Sequence, residues 1–598
     1  LSDPQTVTIS GTAYPLPRVG MGDSSGVFRS ADGITQMAVR HTYGKRVRRN
    51  LKLTFNKVAP DPFQTDVNTS YNASVNFTID HPAVGFTSAE LKAIVDGLTA
   101  YLTATSGAVV TKMLVARARS VRATWQGFNY PLKEGLMKSP MPLLQRITQQ
   151  LGDRCGTSTN HDWETIVSRV NTEGLSFVTI TLPDFCKDFE EALDLGYVGS
   201  HHFRSFRKWR HLPAFLRGFV SQVFDPDTGV LRQDPSVLCI QAIRQICLVM
   251  AKINLPCSEE RERKAYEGYL NAEAELREAD RHRSRGSLDD FARVSRMLWS
   301  DLYCSIDSNI YAGKIIPKHG PGSTASGLKG NAKFSNRRWT HRLENVFPFI
   351  ENGFASWSQW QDLPQVRWLG PREEEPVKVI SVPKTLKTPR IIAMEPVYMQ
   401  YVQQGILEQI EKGYEDCEIP NAFVNHIDTQ HVNQELACQG SIGGSLATLD
   451  LSEASDRVSN QLVREMLSPH RWLFEAVDAC RSRTAELPQF GKVKLAKFAS
   501  MGSALTFPFE AMVFCTLIFM GIEKDVGHRL SRKEILSYRG KVRVYGDDIV
   551  VPVEHVPTVI DLLESNGLKV NRRKSFWNGK FRESCGKEYY SGTDVSIV

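Results

Sequence analysis

The sequence predicts an α+β chain made of two unlike parts, and three observations carry that reading. Residues 1 to about 117 alternate polar and apolar side chains in short runs separated by Gly, Pro, Asn and Asp, the pattern of a small antiparallel sheet. From about Met137 the apolar period lengthens to that of helices, and every Cys lies beyond residue 154. Within this second part, KVRVYGDDIVVPV sets two β-type runs on either side of Gly546, Asp547 and Asp548 and reads as a hairpin.

In chain order, the strand signals of the first part are TVTISG, GVFRS, MAVRHTYG, KRVRRNLKLTFNKV and SVNFTID. Ser88 then caps a helix whose apolar positions Leu91, Ile94, Val95, Leu98 and Leu102 recur at helical spacing, with Glu90 in its first turn. The stretch ARSVRATWQGFNYPLKEGL follows neither period and carries Gly and Pro, so residues 118–136 read as a linker or read-through segment. Further on, SEERERKAYEGYLNAEAELREADRHRSR places acids and bases at helical neighbour spacing, as with Glu260 and Lys264. It reads as a solvated helix in preference to an RNA-facing one.

A chain of 598 residues implies several domains. With 41% apolar and 23% charged residues it falls outside the disordered, collagenous and disulfide-scaffold classes. The net charge of +7 suits a polyanionic partner without identifying one. Eleven Cys, an odd number with no CxxC pair, point to a reducing compartment. No apolar run approaches the roughly 18 residues needed to cross a bilayer, and LSDPQTVTIS resembles no signal peptide, so no membrane partner is expected. Leu1 in place of Met points to a processed or truncated amino terminus. The glycosylation-type triplets at Asn68, Asn72 and Asn76 read as polar strand positions.

The chemistry rests on carboxylates. Two adjacent acids at the tip of a tight hairpin repel one another unless a cation sits there, and Mg²⁺ is commonly held by one or two carboxylates together with substrate phosphates. About a hundred residues upstream, LATLDLSEASDRVS ends an apolar run at Asp450, a strand end, and Asp456 follows six residues later. Acids from two such segments can hold two metal ions for nucleotidyl transfer. An ordinary Asp-containing turn competes for GDD alone. Between these segments FASMGSALTFPFEAM offers Ser500, Gly502 and Thr506 as a small polar turn before an apolar helix, suited to a template backbone or a ribose hydroxyl. ISVPKTLKTPRIIAMEP spaces Lys384, Lys387 and Arg390 by three residues between β-like runs, where they could hold triphosphate oxygens. LKVNRRKSF supplies Arg572, Arg573 and Lys574, and Lys574 could protonate a leaving pyrophosphate.

Taken in order, VPKTLKTPR, DLSEASD, SMGSALT, YGDD, NRRKSF and FRESCGKEYYSG closely resemble the replicase catalytic subunit of the leviviruses, small positive-strand RNA bacteriophages. The resemblance spans about residues 137–598 and is strongest from Ser381. It implies a right-hand palm, fingers and thumb polymerase, with residues 137–375 as an amino-terminal and fingers region and 376–598 as fingers strip, palm and thumb-like region. It implies an RNA-directed RNA polymerase of the bacterial cytoplasm that uses two Mg²⁺ ions, Mn²⁺ serving as a substitute, with Asp450, Asp547 and Asp548 as metal ligands. Lys384, Lys387 and Arg390 match the triphosphate strip, and Asp456, Ser500, Gly502 and Thr506 match the motifs that position ribose and template. Expected partners are single-stranded viral RNA, ribonucleoside triphosphates and the host translation elongation factors Tu and Ts. Glu510 stands where many eukaryotic-virus polymerases carry Asn after the Thr. Residues Lys318 to Trp339 resemble a fingers loop of the family.

Residues 1–117 resemble a levivirus coat protein, whose sheet and terminal helix pair with a second subunit and whose sheet face binds an RNA hairpin. Strand alternation puts Arg46, Arg48, Lys52 and Thr54 on one side and Val47, Leu51, Leu53 and Phe55 on the other. The resemblance implies dimerisation and a place in the virion. A fusion, stop-codon read-through and translation across a sequence gap would each join coat to replicase. The enzyme rival is a reverse transcriptase, and the non-enzymatic rival is a structural virion protein with an inactive polymerase region.

Overall fold

The computed structural model describes residues 2–9, 12–22, 24–43, 46–60, 68–82, 84–104, 140–253, 255–354 and 357–597. Helix and sheet are mixed, and the chain divides into two units, Leu1–Met137 and Lys138–Val598. Residues 118–136, read as a linker, lie outside the described residues.

The first unit is a five-stranded antiparallel meander, Arg18–Gly22, Ser25–Arg29, Thr35–Thr42, Arg46–Pro60 and Asn68–Pro82, with a separate hairpin, Gln5–Ile9 and Thr12–Leu16. Leu51 and Leu53 pack with Tyr14, Leu16, Phe28 and Met37. Arg48 and Lys52 point away from this cluster, opposite Asp80 and Asn76 in the register. Two strands escape the sequence reading, Thr12–Leu16 and Arg18–Gly22, because Pro15 and the glycines at 20 and 22 mask the alternation. The helix spans 88–104, and its cap is Thr87 rather than Ser88: the Glu90 backbone N–H donates to Thr87 Oγ1 (3.3 Å), while Glu90 Oε2 accepts from the Thr87 N–H (2.7 Å).

The second unit opens with a helical cluster, including Met141–Arg154, Leu182–Leu195 and Val237–Leu248, around a core of its own. Two long helices follow, Glu259–His282 and Arg285–Tyr311, each started by a Ser side chain that accepts from a backbone N–H. The charge-dense helix Glu259–His282 is not solvated all round. Tyr266, Tyr269 and Glu273 form a buried face, while Lys264 pairs with Glu260 on the wet side (2.7 Å).

Two sheets organise the rest. A four-stranded sheet orders Arg390–Met394, Val377–Val382, Thr484–Leu487 and Gly491–Lys494. A three-stranded antiparallel sheet places Leu446–Asp450 beside Asp548–Pro552, which pairs in turn with Arg543–Tyr545. Its strands are buried apolar runs, as sheet covered on both faces requires. Against them lies Thr506–Val526, buried on all sides. Here a sequence expectation is corrected. By length and composition this helix could cross a membrane, and Glu510, Thr516 and Glu523 interrupt the apolar run enough to hide that. Its burial, 94% of the apolar window, accounts for the composition. All eleven cysteines are free thiols.

Candidate active site

The site grows from a two-residue turn. Tyr545 and Asp548 pair across it, Gly546 takes φ +60° at its first central position, and the exposed Asp547 occupies the second. A Cβ on Gly546 would run into the Phe507 ring. The hairpin does not carry both acids to its tip: Asp548 starts the return strand and lies opposite Asp450 in register. Directly opposed residues of an antiparallel pair share one face of the sheet.

Asp450 ends its strand because the chain turns there onto a 3₁₀ turn at Ala454–Arg457. Its Oδ2 accepts from Asn571 Nδ2 (2.8 Å), its backbone N–H donates to Ser575 Oγ (3.1 Å), and Lys574 Nζ stands 3.8 Å from Oδ1. Burial pushes the Asp450 carboxyl up, Lys574 draws it back, and Asp547 adds to the rise. Asp548 is pushed up to about 6 by burial and then by Asp547 and Asp450, against the pull of a backbone hydrogen bond from Cys585. Lys574 is held above the ordinary lysine range by Glu583 first, then by Asp450, Asp548 and Asp547. Glu583, half-buried on the strand Phe581–Ser584, is itself pushed up to about 7 by its desolvation there. Three carboxylates gathered under mutual repulsion are the oxygen donor set that Mg²⁺ or Mn²⁺ prefers.

The other residues singled out from the sequence sort into two sets. Lys384 joins the acids: burial lowers its pKa, as do Arg390 and Lys574, while Asp547 and Asp450 raise it. Arg390 begins the strand Arg390–Met394 and is exposed. Lys387 turns instead to Asp184 on helix Leu182–Leu195 (3.0 Å). Arg261 donates to the Leu386 carbonyl (2.7 Å), so the basic turn is tied down from two sides.

Asp456 accepts from Lys497 Nζ (3.1 Å). Ser500 Oγ is bonded to Tyr269 Oη (2.8 Å), and Thr506 Oγ1 donates to the Ser500 carbonyl (2.8 Å). Gly502 takes φ +139° where the loop crosses the strand Arg390–Met394, and a Cβ there would overlap the Ala393 carbonyl. In the first unit, Arg46 and Arg48 both pair with Asp80 (2.9 and 3.3 Å), Lys52 is exposed, and Thr54 is half-buried opposite Ser74.

Sequence reasoning missed Lys497, Tyr269, Glu273 and Glu583, and noticed Glu510 only by its position. Lys497 has no solvent exposure. It stands 3.4 Å over the Tyr269 ring and 3.6 Å from Glu273. Glu510, buried behind the turn, accepts from Ser455 Oγ (2.6 Å) and is pushed up to about 8 by burial, with Asp547 and Asp456 adding to the rise against that hydrogen bond. An acid in the first turns of an otherwise apolar helix pattern was the available signal for Glu510.

A different cluster, Glu191, His201 and His202, brings donor atoms within 4.8 Å of one another. His202 Nδ1 accepts from the Gly199 N–H (2.9 Å), so its neutral ring carries the proton on Nε2 and has no lone pair to offer an ion. The Arg573 guanidinium lies 3.7 Å from the same Glu191 carboxylate.

The chain is similar to the RNA-directed RNA polymerase subunit beta of Qbeta virus (strain MX1), 38% identical over 37% of this chain and 34% of that protein. It is also similar to the RNA-directed RNA polymerase beta chain of Escherichia phage MS2, 32% identical over 54% of this chain and 58% of that protein. The chain thus spans between about a third and somewhat over half of these curated relatives. Among solved structures it is similar to the virus-like particle of bacteriophage AVE019, at TM-score 0.17 and 12% identity, over 22% of this chain and 98% of that one. The family RNA replicase, beta-chain, matches residues 362–598. That segment contains Asp450, Asp547, Asp548, Lys574 and the basic turn, and through it this chain is similar to the phage RNA replicase beta chains.

Proposed function

We propose that the second unit is an RNA-directed RNA polymerase of palm, fingers and thumb type. The observation that carries this is the register of Asp450 against Asp548, with Asp547 at the adjoining turn, inside the segment that matches the RNA replicase beta-chain family. Asp450, Asp547 and Asp548 would hold two divalent ions, which supply charge neutralisation at the phosphates and lower the pKa of the attacking hydroxyl. The chain's own groups do the rest. Lys384 and Arg390 hold triphosphate oxygens, and Asp456, braced by Lys497, orients the ribose. The strand's 3′-oxygen forms a bond to the α-phosphorus as the bond to the bridging oxygen breaks. Lys574, kept protonated by Glu583 and the three aspartates, delivers its proton to the departing pyrophosphate.

Purified chain with RNA template, ribonucleoside triphosphates and Mg²⁺ or Mn²⁺ is expected to extend RNA, and Asp450→Asn and Asp547→Asn are expected to abolish extension. A wild-type rate in either variant overturns that metal assignment. Faster use of deoxyribonucleoside triphosphates selects the reverse transcriptase.

For the first unit the supporting observation is the polar sheet face, where Arg40 and Asn50, then Arg48 and Asp80, then Lys52 and Asn76 stand opposite one another. We read it as a coat-like surface for an RNA hairpin. In Arg48→Gln with Lys52→Gln, hairpin binding is expected to weaken and to become less salt-dependent.

A further inference from the structure

Following helix Leu182–Leu195, residues 204–217 place five bases, Arg204, Arg207, Lys208, Arg210 and Arg217, on the surface. The centre is a hairpin: Lys208 pairs with Pro213 and Trp209 with Leu212, leaving Arg210 and His211 as the turn. Arg210 takes φ +52° there, a conformation that Gly or Asn adopts at less cost. Two guanidinium groups stand over the half-buried Trp209 ring, Arg210 at 5.1 Å and Arg217 at 4.8 Å, which fixes where both charges stand. Arg210 has one acidic partner, the exposed Asp227 (2.5 Å). Among the described residues, no carboxylate lies within ion-pair distance of Arg204, Arg207 or Arg217. A strained, aromatic-braced turn flanked by three bases without an acidic partner is more than a solvated face needs.

The surface is joined to the active site. Asp188 accepts from the Phe203 N–H (2.7 Å) with one oxygen and pairs with Arg573 through the other, and Arg573 is the neighbour of Lys574. The His202 ring is pushed down to about 4 by burial, then by the positive charge of His201, Lys208 and Arg573.

We propose that residues 204–217 form a second RNA-contact surface, on which Arg204, Arg207 and Arg210 grip the phosphate backbone of a strand that leads to or from the catalytic acids. This rests on the reading of the second unit as an RNA polymerase. The contact is to phosphate and carries no base readout, because guanidinium groups already stand over the indole ring on which a base would stack.

The test compares full-length chain with the triple variant Arg204→Gln, Arg207→Gln, Arg210→Gln. A second triple, Arg263→Gln, Lys264→Gln, Arg281→Gln, removes the same charge from the exposed face of helix Glu259–His282. RNA binding is read by fluorescence anisotropy without nucleotides, so the result stands apart from whether the chain polymerises. The probes are an unstructured oligouridylate of about 30 nucleotides and a blunt RNA duplex of about 20 base pairs, across a salt series. The first triple is expected to weaken binding about tenfold or more and to reduce the slope of log K against log salt by about 2, since each single-strand phosphate that is no longer neutralised takes away about 0.7. The probe that shows the larger change identifies the strand form. Unchanged affinity and slope in the first triple overturn the proposal, as does an equal loss in the second triple. Unchanged thermal unfolding of both variants confirms that the comparison concerns the surface alone.

Discussion

Lys497 is a charged side chain with no exposure, tolerated because Asp456 lies 3.1 Å away, Glu273 3.6 Å away and the Tyr269 ring directly beneath it. Removing one member of such a set strands the others. Lys497→Met is therefore expected to cost roughly 3–5 kcal/mol, read from urea unfolding, whereas an exposed pair such as Lys264 with Glu260 would change little. Glu510 presents the opposite case, a buried acid whose pKa rises from its ordinary 4.5 to about 8. Between those values the folded chain keeps a proton that the unfolded chain has released, so stability falls as pH rises. From this group alone the slope is up to about 1.4 kcal/mol per pH unit. Glu510→Gln has no such proton to lose. Measured in chelator between pH 5 and 8, its stability is expected to fall less steeply with pH than the wild type's by about one proton's worth. Parallel profiles would show that Glu510 is ionised in the folded chain.

The loop before helix Thr506–Val526 connects most of the site's elements. Ser500 reaches Tyr269, the Met501 carbonyl accepts from the Ala393 N–H (2.9 Å), and Gly502 lets the two backbones touch. Gly502→Ala adds a Cβ against the Ala393 carbonyl and strains a left-handed residue. A loss of about 2 kcal/mol or more is expected, with a raised apparent KM for nucleotide because the displaced strand starts at Arg390. An unchanged KM would separate this loop from the triphosphate strip. Such elements show how far the sequence could be read. Asp450 at a strand end and Asp547 in a Gly-Asp turn are local signals, written within a few residues. Tyr269 and Glu273 could not be found that way. Their helix looks like a charged surface helix, and their partners lie more than 200 residues onward, at Ser500 and at the Ala496 and Lys497 backbone. The Lys387 partner escapes for the same reason, since nothing near it in sequence announces Asp184.

At the scale of the whole chain, the two units differ in how much they bury. Four apolar clusters knit residues 144–595 of the second unit, while the described part of the first fully buries only Leu16, Phe28 and Met37 among its apolar residues. Its helix 88–104 leaves Ile94, Leu98 and Tyr101 about half exposed or more. Leu98 follows Ile94 at i,i+4 spacing and Tyr101 follows Leu98 at i,i+3, one continuous stripe. Among the described residues, so thin a core offsets little of the chain entropy of a sheet and helix of this size. A second copy laid on that stripe would remove the apolar surface from water and extend the core. Residues 1–137 expressed by themselves are therefore expected to sediment as a dimer, with an unfolding temperature that rises with protein concentration, since dimerisation and folding are then one equilibrium. Ile94→Asp with Leu98→Asp should abolish the dimer and with it cooperative unfolding. Arg48→Gln with Lys52→Gln, on the sheet face, should leave both intact. A monomer whose unfolding temperature is independent of concentration would show that the first unit is completed by something other than its own copy.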